Sequence, residues 1–248
     1  MSITRFKLKE LECPHLQKLP HQPRKGLLQA QKLPFQTKKA RRTAAIVLAA
    51  TAAFMTTFIV IWCVNGPEKF LNYLGFSRSG EVLPHAWLLA AATAAGYIAY
   101  TARMIPEVQQ NILCFKGLLK WLGIYAGFAG GIVEEALFRQ MLMDWLQGNG
   151  ACALLQIVLS ALAFGLIHLS WSLLGGNLRT GTASAASTAA LGLLLAVVYV
   201  AAGRNLLPAV AAHVLINLFV EPWLILSAVG ASRHEPTRQP HETQPRRN

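Results

Sequence analysis

Two adjacent glutamates, Glu134 and Glu135, stand just ahead of Arg139 inside an otherwise apolar stretch. Further on come two more isolated polar patterns, Phe164-Gly-Leu-Ile-His168 and His213-Val-Leu-Ile-Asn217. Carboxylate, imidazole and amide together are the equipment of hydrolysis. A carboxylate takes a proton from water, and N–H donors meet the negative charge that develops on the attacked carbonyl. An apolar site raises a carboxylate's pKa toward neutrality, which suits a base, and each oxyanion donor is worth about 2.7–4 kcal/mol. Helix geometry divides the roles. Residues four apart share a face, so Glu135 and Arg139 can pair and cancel most of their own desolvation cost. Glu134 is rotated by roughly 100° from Glu135 and has no local cation, so its partner must come from another helix. His213 and Asn217 share one helical face, presenting an imidazole and an amide side by side.

The elements that must position these groups read as membrane helices. The chain has 248 residues, 54% hydrophobic and only 14% charged, against about 25% charged in a soluble domain. Apolar runs of the length that spans a bilayer core of ~30 Å recur along it. The expectation is an all-α, polytopic membrane bundle of about six transmembrane helices, roughly 43–64, 84–102, 118–146, 150–172, 182–202 and 206–229. The third holds Gly123, Gly127, Gly130 and Gly131, small residues that let helices approach closely in lipid. A charge near the bilayer centre costs at least ~2.5–3.5 kcal/mol, which makes Glu134, Glu135 and Arg139 functional candidates. Each group alone has a plainer explanation: a packing histidine, an interhelical asparagine, a structural ion pair. Their joint occurrence on three helices is harder to explain as glue. The span limits put His168 near one end of its helix and His213 near the opposite end of its own, a depth offset of about 10 Å at ~1.5 Å per residue.

The net charge of +12 raises nucleic acid as a partner, and its distribution argues against it. Residues 1–42 hold 11 of the 23 lysines and arginines and abut the first span. A basic segment there reads as a disordered or membrane-surface tail, a topology determinant attracted to anionic lipid. With both termini cytoplasmic, the inside segments hold 19 basic residues and the outside loops 3, as the positive-inside rule asks of six spans. The domain division is then a tail at 1–42, a transmembrane domain at 43–230 with its core near 118–229, and a polar tail at 231–248. Cys13, Cys63, Cys114 and Cys152 show no metal spacing and read as small buried hydrophobes.

Glu134-Glu135-Ala-Leu-Phe138-Arg139 resembles the EExxxR motif of the CPBP family, which includes type II CAAX prenyl endopeptidases. Phe164-x-x-x-His168 and His213-x-x-x-Asn217 resemble its FxxxH and HxxxN motifs, in the same order, over roughly residues 118–220. The resemblance implies an intramembrane endopeptidase with Glu134 as general base, His168 holding the water, His213 and Asn217 stabilising the oxyanion, and Glu135 with Arg139 bracing the helix. It implies a membrane-anchored or lipidated peptide substrate. A metal-free glutamate mechanism is preferred, because Asn217 suits the oxyanion role; the alternative is zinc held by Glu134, His168 and His213. The competing functions are a non-catalytic scaffold or bacteriocin-immunity protein and a transporter. The expected location is the plasma membrane.

Overall fold

Ala40, Ala44, Leu48 and Ala52 recur every four residues along the first helix, and this stripe is its buried face. The computed structural model describes residues 38–175 and 178–231; most of the basic tail and nearly all of the polar C-terminal tail lie outside them. Among the described residues every regular element is helical and there is no strand. The long helices are Lys38–Val64 (α1), Pro84–Met104 (α3), Leu118–Glu135 (α5), Ala153–Ile167 (α7), Leu178–Ala201 (α9) and Leu207–Ala231 (α10). Short helices join them: Pro67–Leu74 (α2), Pro106–Asn111 (α4), Met143–Gly148 (α6) and Trp171–Gly175 (α8).

The chain is an integral membrane protein, though the expectation of six spans is not matched helix by helix. Four stretches are long and apolar enough by themselves: α1, Ala153–Leu174, α9 and Leu207–Gly230. A fifth requires joining Pro67–Glu81 to α3 across a bend of 120°. The run from α5 to α6 falls outside this set because it carries Lys120, Glu134, Glu135 and Arg139. Its charge is internal: Lys120, Glu135 and Arg139 have no exposed surface, so lipid never meets them.

α10 is the centre of the bundle. It packs against α1, α3, α4, α5, α8 and α9, and its spanning window is 50% buried against 17% for α1. Glycines set how closely α5 approaches it. A Cβ on Gly123 would collide with the Pro222 ring, one on Gly127 with Asn217, and one on Gly131 with Val214. Repeated every four residues, these glycines form a seam that only backbone-to-backbone packing can close. The α7–α9 contact is built the same way, Gly165 facing Ala185 and Ala189, and Gly192 facing Phe164.

Two breaks in regular helix concern the site. α5 passes directly into a π-helical turn, Ala136–Leu142, before α6, where one uninterrupted α-helix was expected. Such widened turns concentrate at functional positions; here Ser160 of α7 donates to the Phe138 carbonyl at 2.8 Å. α7 stops at Ile167, so His168 opens a 3-10 turn, His168–Ser170, instead of lying within the helix. Cys63 and Cys152 are free thiols, and Cys152 is exposed ahead of the first turn of α7, which corrects its reading as a small buried hydrophobe; Cys63 and Cys114 are half-buried, and Cys13 lies outside the described residues.

Candidate active site

Glu134 and Glu135 end α5, one turn from Gly131, where α5 packs against Val214 of α10. Consecutive positions on a helix point in different directions, and the two carboxylates accordingly sit in different surroundings. Glu135 is fully buried and lies 3.0 Å from the Arg139 guanidinium. Arg139 also donates to the Gly192 carbonyl at 3.3 Å and lies over the Phe164 ring at 4.6 Å. Carboxylate, guanidinium, carbonyl and aromatic face offset part of what both charges lose with water, while Glu135 Oε2 and Arg139 Nε are left without a hydrogen-bond partner among the described residues. Glu134 keeps 22% of its side chain exposed. It is the carboxylate of the pair that a reactant can touch.

His213 bridges the two. Its Nδ1 donates to Glu135 Oε1 at 2.7 Å, and its Nε2 stands 3.6 Å from Glu134 Oε2. Glu135 therefore does more than the helix bracing expected of it, because it also fixes the His213 ring and aims Nε2 at Glu134. The sequence could not show this contact, which joins residues 78 apart. His168 is likewise oriented through one nitrogen: Nδ1 donates to the Phe164 carbonyl at 2.7 Å, leaving Nε2 for other partners. Phe164 joins the two imidazoles, its ring lying 4.8 Å from that of His168 and 5.7 Å from that of His213. Both rings thus reach one phenyl group despite the depth offset expected from the span limits. Asn217, one turn after His213, donates to the Gly127 carbonyl at 3.4 Å and retains a second amide hydrogen.

Glu134, Glu135, Arg139 and His213 form one contiguous cluster; His168 joins it through Phe164, and Asn217 through α10. Sequence reasoning passed over Glu221, one turn beyond Asn217. Its Oε2 is buried without a hydrogen-bond partner, beside Gly127. The signal was available as a continuation of the four-residue spacing from His213 and Asn217. Lys120, within the third expected span but not singled out there, is part of α5 and wholly buried. Among the described residues no three His, Cys, Asp or Glu side chains are grouped to hold a metal ion. Glu134 and His213 are neighbours, but a catalytic zinc takes three protein ligands.

Residues 116–219 match the family model described as type II CAAX prenyl endopeptidase Rce1-like. Over those residues the chain is similar to that family. The matched segment runs from just before α5 to Phe219 in α10, so it includes all six residues of the cluster and ends before Glu221. At the level of the family, the match supports an intramembrane protease of the CAAX type. No curated protein and no solved structure matches the chain.

Proposed function

We propose that this protein is an intramembrane endopeptidase that hydrolyses a peptide bond in a membrane-anchored or lipidated substrate, using Glu134 as its base. The observation that carries this reading is the unequal treatment of the two glutamates. Glu135 is sealed against Arg139 and His213, while Glu134 is partly open with His213 Nε2 at 3.6 Å. One water can hydrogen-bond to both of those atoms. In the proposed reaction Glu134 accepts a proton from that water, which His168 Nε2 helps to hold. The hydroxide attacks the substrate carbonyl carbon. The resulting oxyanion is met by His213 Nε2–H and by the spare Asn217 amide hydrogen. His213 must then carry hydrogen on both nitrogens, and the Glu135 carboxylate on Nδ1 is placed to compensate that charge. As the C–N bond breaks, Glu134 returns its proton to the departing nitrogen, which restores the carboxylate. No step runs through a metal.

The excess of basic residues in the N-terminal tail supports a cytoplasmic N-terminus held near anionic lipid of the plasma membrane. The test is cleavage of a membrane-anchored reporter by the purified protein in liposomes. Glu134→Gln, which keeps shape and removes the base, is expected to abolish cleavage. Unchanged cleavage by that variant would transfer the role elsewhere, and transport without cleavage would replace the reading altogether.

A further inference from the structure

Pro222 lies inside α10. Proline has no N–H, and its ring crowds the carbonyl four residues earlier. In α10 that carbonyl belongs to Leu218, immediately after Asn217. A buried carbonyl deprived of its helical donor must find another. Lys120 of α5 supplies it: its Nζ donates to the Leu218 carbonyl. The ammonium has no contact with solvent, since Lys120 is 0% exposed. Aromatic faces surround it in place of water, with Phe115 at 4.6 Å and Phe219 and Trp223 each at 5.8 Å from ring centroid to Nζ. One turn along α5 from Lys120, Gly123 packs directly on the Pro222 ring.

We propose that Lys120 is a positioning residue: by bonding the carbonyl that Pro222 leaves without a helical donor, it fastens the part of α10 bearing His213 and Asn217 to the helix bearing Glu134. Neither residue belongs to the three motifs, and Pro222 lies beyond the matched segment. A lysine serving only to anchor a helix end would extend its amine to the membrane surface. This one turns inward to a carbonyl adjacent to a site residue. The inference rests on the protease reading for its consequence in catalysis, but the lock itself is a matter of structure and can be tested separately.

The experiment is a double-mutant cycle on the full chain, reading reporter cleavage in liposomes and thermal unfolding in detergent. Lys120→Met keeps the length of the side chain and removes the donor. It is expected to lower kcat about tenfold while KM stays within about twofold, because orientation rather than binding is lost. Pro222→Ala restores an N–H to the Leu218 carbonyl. In that background Lys120→Met is expected to change neither kcat nor the unfolding temperature appreciably, and Lys120→Arg in the native background is expected to retain most activity. Equal effects of Lys120→Met with and without Pro222, in both measurements, would overturn the proposal. Coupling in unfolding without coupling in kcat would also overturn it, leaving the pair purely structural. Retained cleavage by Glu134→Gln marks failure of the protease reading instead, and the unfolding cycle still decides the lock.

Discussion

Replacing Arg139 by methionine isolates the electrostatic logic of the site. Arg139 and Glu135 both have fully buried side chains, 3.0 Å apart, and the guanidinium is shared with the Gly192 carbonyl and the Phe164 ring. Removing the cation leaves Glu135 in a dry interior with only the His213 Nδ1–H as a strong partner. Losing one member of a buried pair costs about 3–5 kcal/mol. At roughly 2–4 °C per kcal/mol for a chain of this size, the unfolding temperature should fall by roughly 6–20 °C. Replacing both members, Glu135→Gln with Arg139→Met, removes the stranded charge, so most of the stability should return. Activity should not. The double variant lacks the carboxylate that aims His213 and balances its charge in the proposed reaction. The assay is thermal unfolding in detergent beside reporter cleavage in liposomes. A loss below about 1 kcal/mol in Arg139→Met, or a double variant no more stable than the single one, would refute the argument, because the pair would then not be a desolvated unit.

Gly127→Ala places a Cβ 2.6 Å from that of Asn217 and 2.7 Å from Glu221 Oε2, so α10 must retreat. Overpacking of this kind costs about 1–3 kcal/mol, and kcat should fall more than KM rises, read from reporter kinetics. Phe164→Ala removes the ring shared by Arg139, His168 and His213; a loss of about 3–5 kcal/mol in unfolding and strongly reduced cleavage are expected. Arg204→Ala severs contacts to Asp144 and Gln156 that tie the α9–α10 connection to α6 and α7. That bridge is partly exposed, so only about 1 kcal/mol should be lost and cleavage should persist. Chelator treatment should leave cleavage unchanged; activity lost and then restored by added zinc would contradict the metal-free reaction.

Much of the site was legible because charge in an apolar helix is rare enough to stand out. Glu134, Glu135, Arg139, His168, His213 and Asn217 are visible by type and spacing alone, and the Glu135–Arg139 contact follows from their separation of one turn. The glycines on α5 also announced a close helix contact, though not its partner. The number of spans was less secure, because hydropathy cannot distinguish a charged helix shielded by neighbours from one that avoids the membrane.

The sequence by itself determined that the chain is helical, that it inhabits a membrane, and which polar groups need an explanation there, since composition and period are local properties. The tertiary structure alone decided which glutamate is sealed and which is open, that His213 stands between them, and that Lys120 meets Leu218 across 98 residues. The reason is physical: periodicity fixes the face on which a side chain lies, but its partner across the interface depends on the stagger of two helices, and here that stagger is set by glycine backbones meeting Pro222, Asn217 and Val214.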